Sequence, residues 1–70
     1  MNKRYIVEIQ FDQFANIPVE IVAESGELAL NQAQGMLHGE WVNIVGMDGH
    51  VIRVRPERVV MMRIAEVIED

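Results

Sequence analysis

The chain is 70 residues long, half of them hydrophobic, with no cysteine and a formal net charge of −5. A chain of this size forms one domain with a small core, since it buries only about 60% of its unfolded surface. Lack of Cys excludes disulfides and thiolate metal sites, and an acidic balance makes a poor candidate for phosphate backbones, whose binding rests on Lys and Arg.

No apolar run approaches the roughly 20 residues of a membrane span, so no membrane partner is expected. The basic start, Met1–Arg4, leads into residues interrupted by Glu8, Gln10 and Asp12. An export signal needs a continuous apolar region there, and a cytoplasmic location is the expectation.

Lys3–Phe11 alternates, with Tyr5, Val7, Ile9 and Phe11 on one face and Arg4, Glu8 and Gln10 on the other. Period two is the mark of a half-buried strand; Ile6 breaks the pattern. Asp12–Asn16 reads as a turn, with Phe14 folding back onto the core. Ile17–Ala23 is a second strand that pairs with the first, and Pro18 places it at a strand start or a sheet edge, because proline cannot donate to a ladder.

Ser25 suits a helix N-cap, and Glu24 and Glu27 suit the positive end of the helix dipole. Ala29, Leu30, Ala33, Met36 and Leu37 form the apolar stripe of a helix, which Gly39 closes in a left-handed conformation. Trp41 is then expected to be a packing anchor. Trp41–Met47 and His50–Arg55 read as a hairpin around Asp48-Gly49, a strong signal for a type I′ turn. Pro56 stops that ladder, and Val59–Val67 is the last strand, with Val60, Met62 and Ile64 facing the core.

The expected fold is therefore α+β in the order ββαβββ: a mainly antiparallel sheet of about five strands, with one helix packed on one face. A small barrel built from the same strands is the alternative. The second sheet face would carry Val45, Met47, Val51, Val59, Met61 and Val67, where a solvated face is normally polar.

Catalytic chemistry finds little support. Nucleophilic catalysis needs an activated Ser, Cys, Thr or Lys beside a base; the chain has one Ser, suited to capping, and one Lys near its start. No glycine-rich phosphate loop is present. His38, Glu40, Asp48 and His50 are metal-like in type, but His38-Gly39-Glu40 lacks the Pro-Cys-x-x-Cys that accompanies His-x-Glu in zinc deaminases. No catalytic residue, cofactor or metal is expected.

The basic residues are unevenly spread. Arg53, Arg55, Arg58 and Arg63 fall within eleven positions, while residues 5–52 contain neither Lys nor Arg. On five-strand parity, Arg53, Arg55 and Arg63 share a sheet face, where Glu8 and Glu20 are candidate ion-pair partners. With Val59, Met61 and Val67 they make the candidate interaction face. The expectation is a non-enzymatic protein-interaction module that self-associates, a homodimer by symmetry preference. The alternative is a nucleic-acid-binding regulator using the Arg-bearing face, although the region 42–70 contains no aromatic residue to interleave with the basic ones.

Overall fold

A computed structural model describes residues 1–12 and 15–69; the expectation for Phe14 lies outside the described residues. Five strands and one helix follow in the order β1 (Lys3–Phe11), β2 (Ala15–Ala23), α1 (Gly26–Met36), β3 (Val42–Val45), β4 (Val51–Val54) and β5 (Val59–Ile68), with a single 3-10 turn at Pro56–Arg58 before the last strand. The fold is α+β and antiparallel, as the sequence predicts. The strands divide, however, into a three-stranded sheet in the order β2-β1-β5 and a separate β3-β4 hairpin.

Helix and hairpin cover the same face of the three-stranded sheet. Tyr5, Val7, Ile9 and Phe11 of β1 and Ile17, Val19, Ile21 and Ala23 of β2 form one cluster with Ala29 and Ala33 of α1 and Ile44 of β3. Leu30, Leu37, Val42, Ile52, Val54, Val59, Met62 and Ile64 pack around it, half-buried. The helix starts where expected: Ser25 Oγ accepts a bond from the Leu28 N–H at 3.2 Å. Its first residue sits close to β5: a Cβ on Gly26 would stand 2.7 Å from Ile64 Cδ1, so that side chain would have to move to admit one. The helix ends at Met36, and Gly39 takes its positive φ of 86° in the following loop rather than at the residue that closes the helix. Met36, expected in the apolar stripe, is exposed, while Leu37 after it packs against the core.

Pro18 lies on an edge strand, where its missing N–H costs no ladder bond. Its carbonyl accepts from the Met47 N–H at 3.2 Å, which ties the hairpin end to the sheet.

The last strand corrects the expected parity. Pairing passes from Gln10↔Met61 to Phe11↔Val59 and from Ile6↔Glu66 to Val7↔Ile64. Val60 and Ala65 are thus extra residues, each a bulge that shifts the side-chain alternation by one. Val59 consequently packs against the core and Val60 is exposed, the reverse of the expectation. Val67 pairs with Tyr5, a core-face residue.

Candidate interaction site on the outer hairpin face

The hairpin register builds the site. Val42 pairs with Val54, Ile44 with Ile52 and Val45 with Val51. A two-residue turn at Asp48-Gly49 would have set Ile44 opposite Arg53, mixing core and solvent faces. Instead, the Gly46 N–H donates to the His50 carbonyl and the Gly49 N–H to the Gly46 carbonyl, both at 3.0 Å. Gly49 has φ +85°, while Asp48 does not enter the positive-φ region. This is a three-residue loop, a type I turn followed by a left-handed glycine. The extra residue brings Ile44 and Ile52 to the core together.

Val42 and Val54 flank that pair on the core side, and the alternate residues Trp41, Asn43, Val45, Val51 and Arg53 face outward. Trp41 packs under Arg55, whose guanidinium stands 5.4 Å from the indole centroid. Arg53 Nε donates to Asn43 Oδ1 at 3.0 Å. Val45 and Val51 are 58% and 65% exposed, Trp41 54% and Met47 52%. An open groove of about 480 Å³ is lined by Trp41, Asn43 and Arg53.

Arg53 is set apart by its electrostatics. Lys3 pairs with Glu69 at 2.9 Å, Arg4 with Glu20 at 3.5 Å, Arg55 with Glu57 at 3.0 Å, Arg58 with Asp12 at 3.3 Å and Arg63 with Glu8 at 2.7 Å. Among the described residues, Arg53 alone of the cationic side chains has no carboxylate within ion-pair distance. Asn43 fixes its guanidinium through Nε, and the described residues provide no bond to its terminal nitrogens. Those are the atoms that bind a carboxylate bidentately.

The six residues of the expected interaction face do not come together. Arg53 and Arg55 are on the hairpin, whereas Met61 and Arg63 are on the far face of the three-stranded sheet, opposite Gln10 and Glu8. Val59 turns to the core and Val67 stands beside Tyr5. The separation follows from two sheets where one was expected, and from the bulges in β5. Arg63 does find Glu8, a partner that strand parity suggested. Trp41, expected as a buried anchor, is instead a surface residue, and Asn43 was not anticipated at all. Pairing the apolar residues of β3 with those of β4 would have shown both.

The one acidic group at the hairpin tip, Asp48, is occupied locally. Asp48 Oδ1 accepts from the His50 N–H at 3.0 Å, and Asp48 Oδ2 lies 2.8 Å from His50 Nδ1. The backbone bond first, and the imidazole second, hold the Asp48 carboxyl below its ordinary pKa. At the other end of the molecule, the hydrogen bond and charge of Glu69 raise the Lys3 ammonium above its ordinary value. Among the described residues, no three His, Cys, Asp or Glu side chains assemble as a metal site, and no helix is long and apolar enough to cross a membrane. Protein-family models, curated proteins and solved structures contain no match to the chain.

Proposed function

We propose that this chain is a non-enzymatic protein-interaction module that self-associates as a homodimer, acting in the cytoplasm, and that the outer hairpin face is where it binds. One observation carries the reading: an exposed Trp, two exposed Val and a carboxylate-free Arg share one side of a two-stranded ribbon. Aromatic residues and Arg are enriched at the cores of protein interfaces, and Trp and Arg head the residues whose truncation costs most binding energy. Val45 and Val51 are exposed as a cross-strand pair, and apolar side chains exposed side by side mark contact sites, whereas single exposed hydrophobics are ordinary. Arg55 over Trp41 also rigidifies the aromatic, which lowers the entropy lost on docking. Light scattering at micromolar concentration tests the reading. A mass near twice the 8.0 kDa of one chain supports it, and a mass that stays at one chain at every concentration rejects the dimer.

A second reading, a nucleic-acid-binding regulator, draws on the same Trp41 and the two arginines beside it. Stacking surfaces for single strands combine an aromatic face with nearby cations. Against it stand the net charge of −5 and the ion pair that already neutralises Arg55. Salt-dependent retention on a single-stranded DNA column, lost in Arg53→Glu, would favour this reading over the first.

A further inference from the structure

We infer that the occupant of the outer hairpin face is a second copy of this chain, presenting the acidic start of its helix to Arg53. This rests on the self-association reading and specifies the two surfaces that meet.

Glu8, Asp12, Glu20, Asp48, Glu57 and Glu69 are each paired within the chain. Among the described residues, that leaves Glu24, Glu27, Glu40 and Glu66 outside any ion pair. Glu40 is the immediate neighbour of Trp41 and makes no ion pair with Arg53. Glu66 stands alone on β5, opposite Ile6. Glu24 and Glu27 are different. They flank the N-cap Ser25 and lie at the first turn of α1, both exposed, next to Leu28, which is exposed as well. Two unpaired carboxylates and an apolar side chain make the complement of a guanidinium set among Trp41, Val45 and Val51.

The two patches belong to different parts of the molecule. The helix start lies against Tyr5 and Ile64, whereas the hairpin tip is tied to Pro18. One copy therefore does not satisfy itself, since no ion pair joins Arg53 to either glutamate among the described residues. Two copies related by a two-fold axis make the contact twice, because in a symmetric dimer residue i meets j and j meets i. Arg53 enters that contact with its plane already fixed by Asn43, so little side-chain freedom is lost in forming a bidentate pair.

Charge reversal and its repair test the inference, read by sedimentation equilibrium of the full chain. Arg53→Glu and Glu27→Arg each weaken dimerisation by about 30-fold or more, the loss expected when one partner of an interfacial charge pair is removed. The double variant Arg53→Glu with Glu27→Arg regains most of it. Arg58→Ala, in the turn before β5, leaves it unchanged. All three substituted positions are exposed, and the circular dichroism melt of each variant verifies that the fold survives. A wild-type dimer that persists unchanged in Arg53→Glu overturns this inference and leaves the self-association reading standing. Single variants that both dissociate without repair in the double variant overturn the pairing of these two patches. A wild-type monomer throughout the concentration range overturns both the inference and the reading under it.

Discussion

Two surfaces of this molecule carry arginine and solve its charge in opposite ways. On the far face of the three-stranded sheet, Arg4 and Arg63 lie beside Glu20 and Glu8 on neighbouring strands. That face reads as the solvated side of an antiparallel sheet, and even the buried Ile6 sits between charged neighbours. On the outer hairpin face, the residue opposite Arg53 is Asn43, and Arg55 lies over the ring of Trp41. No acid occupies β3 or β4, so Arg55 takes Glu57 from the following turn and Arg53 takes none. The lesson is that strand register decides whether an arginine is neutralised at home. Arg4 and Arg63 each find a carboxylate on the strand beside them, while the strand beside Arg53 offers an asparagine.

The comparison requires the hairpin to be firmly docked, and Ile44 is the residue that docks it, fully buried from a strand of only four residues. Ile44→Ala is expected to cost about 2–5 kcal/mol. In a domain of this size that lowers the melting temperature by at least about 8 °C. An unchanged melt would mean that the hairpin adds nothing to the folded unit, and its outer face would then not be a fixed surface.

Next in size is the loop that sets the register. Gly49→Val places a β-branched residue at φ +85°, a left-handed conformation that costs an L-residue about 1–2 kcal/mol. Open space surrounds the position, so crowding adds nothing. If the urea midpoint of Gly49→Val matches wild type, the loop has other ways to hold Ile44 opposite Ile52, and the register argument fails.

Much of this was legible in the sequence. The alternation in Lys3–Phe11 gives β1 residue for residue, and Ser25 marks the helix start. Pro18 announces an edge strand. Three features stayed hidden, each for a physical reason. Asp48-Gly49 favours a two-residue turn locally, but burial of Ile44 and Ile52 on the same side is worth more than turn preference and selects the longer loop. The bulges at Val60 and Ala65 leave no local mark, since both residues suit a strand at any phase. The division of five strands into two sheets depends on which edges meet, and Pro18 binding Met47 is a contact between segments 29 positions apart. Two of these bear on the candidate site: Arg53 and Arg63 share a parity but not a sheet, and the β5 bulges turn Val59 to the core. Trp41 shares the strand parity of Val45 and is exposed with it.

A smaller effect distinguishes the two arginine surfaces directly. A double-mutant cycle between Arg63 and Glu8 should give a coupling of about 0.2–1 kcal/mol, the range for ion pairs near the surface. Its geometry is favourable, with Arg63 Nε and Nη2 bonded to the same Glu8 oxygen at 2.8 and 2.7 Å. Arg53→Ala should change monomer stability by less than about 0.5 kcal/mol, as surface substitutions usually do, while acting on association. If Arg53→Ala destabilises the fold more than Arg63→Ala does, Arg53 has an internal role and the contrast between the faces is reversed.

The smallest expected effect concerns the acid at the hairpin tip. Asp48 is fully exposed, yet its carboxyl is held below the ordinary value, first by the His50 backbone N–H and then by the His50 side chain. A carboxyl whose folded pKa is depressed adds stability above its unfolded pKa, and that contribution disappears as pH falls through the folded value. The loop should therefore loosen only on the acid side of the usual carboxylate range, with no change around neutrality from this group. A carbon-detected NMR titration of Asp48 reads the folded value. His50→Ala removes the imidazole but keeps the backbone N–H, the larger cause, so the carboxyl should move only part of the way back. A full return to the ordinary value would show that the side chain alone lowers it, and that the backbone bond capping the loop is not formed. The loop would then lack the bond that complements Gly49 in fixing the register, and with it the arrangement that brings Trp41, Asn43 and Arg53 to one face.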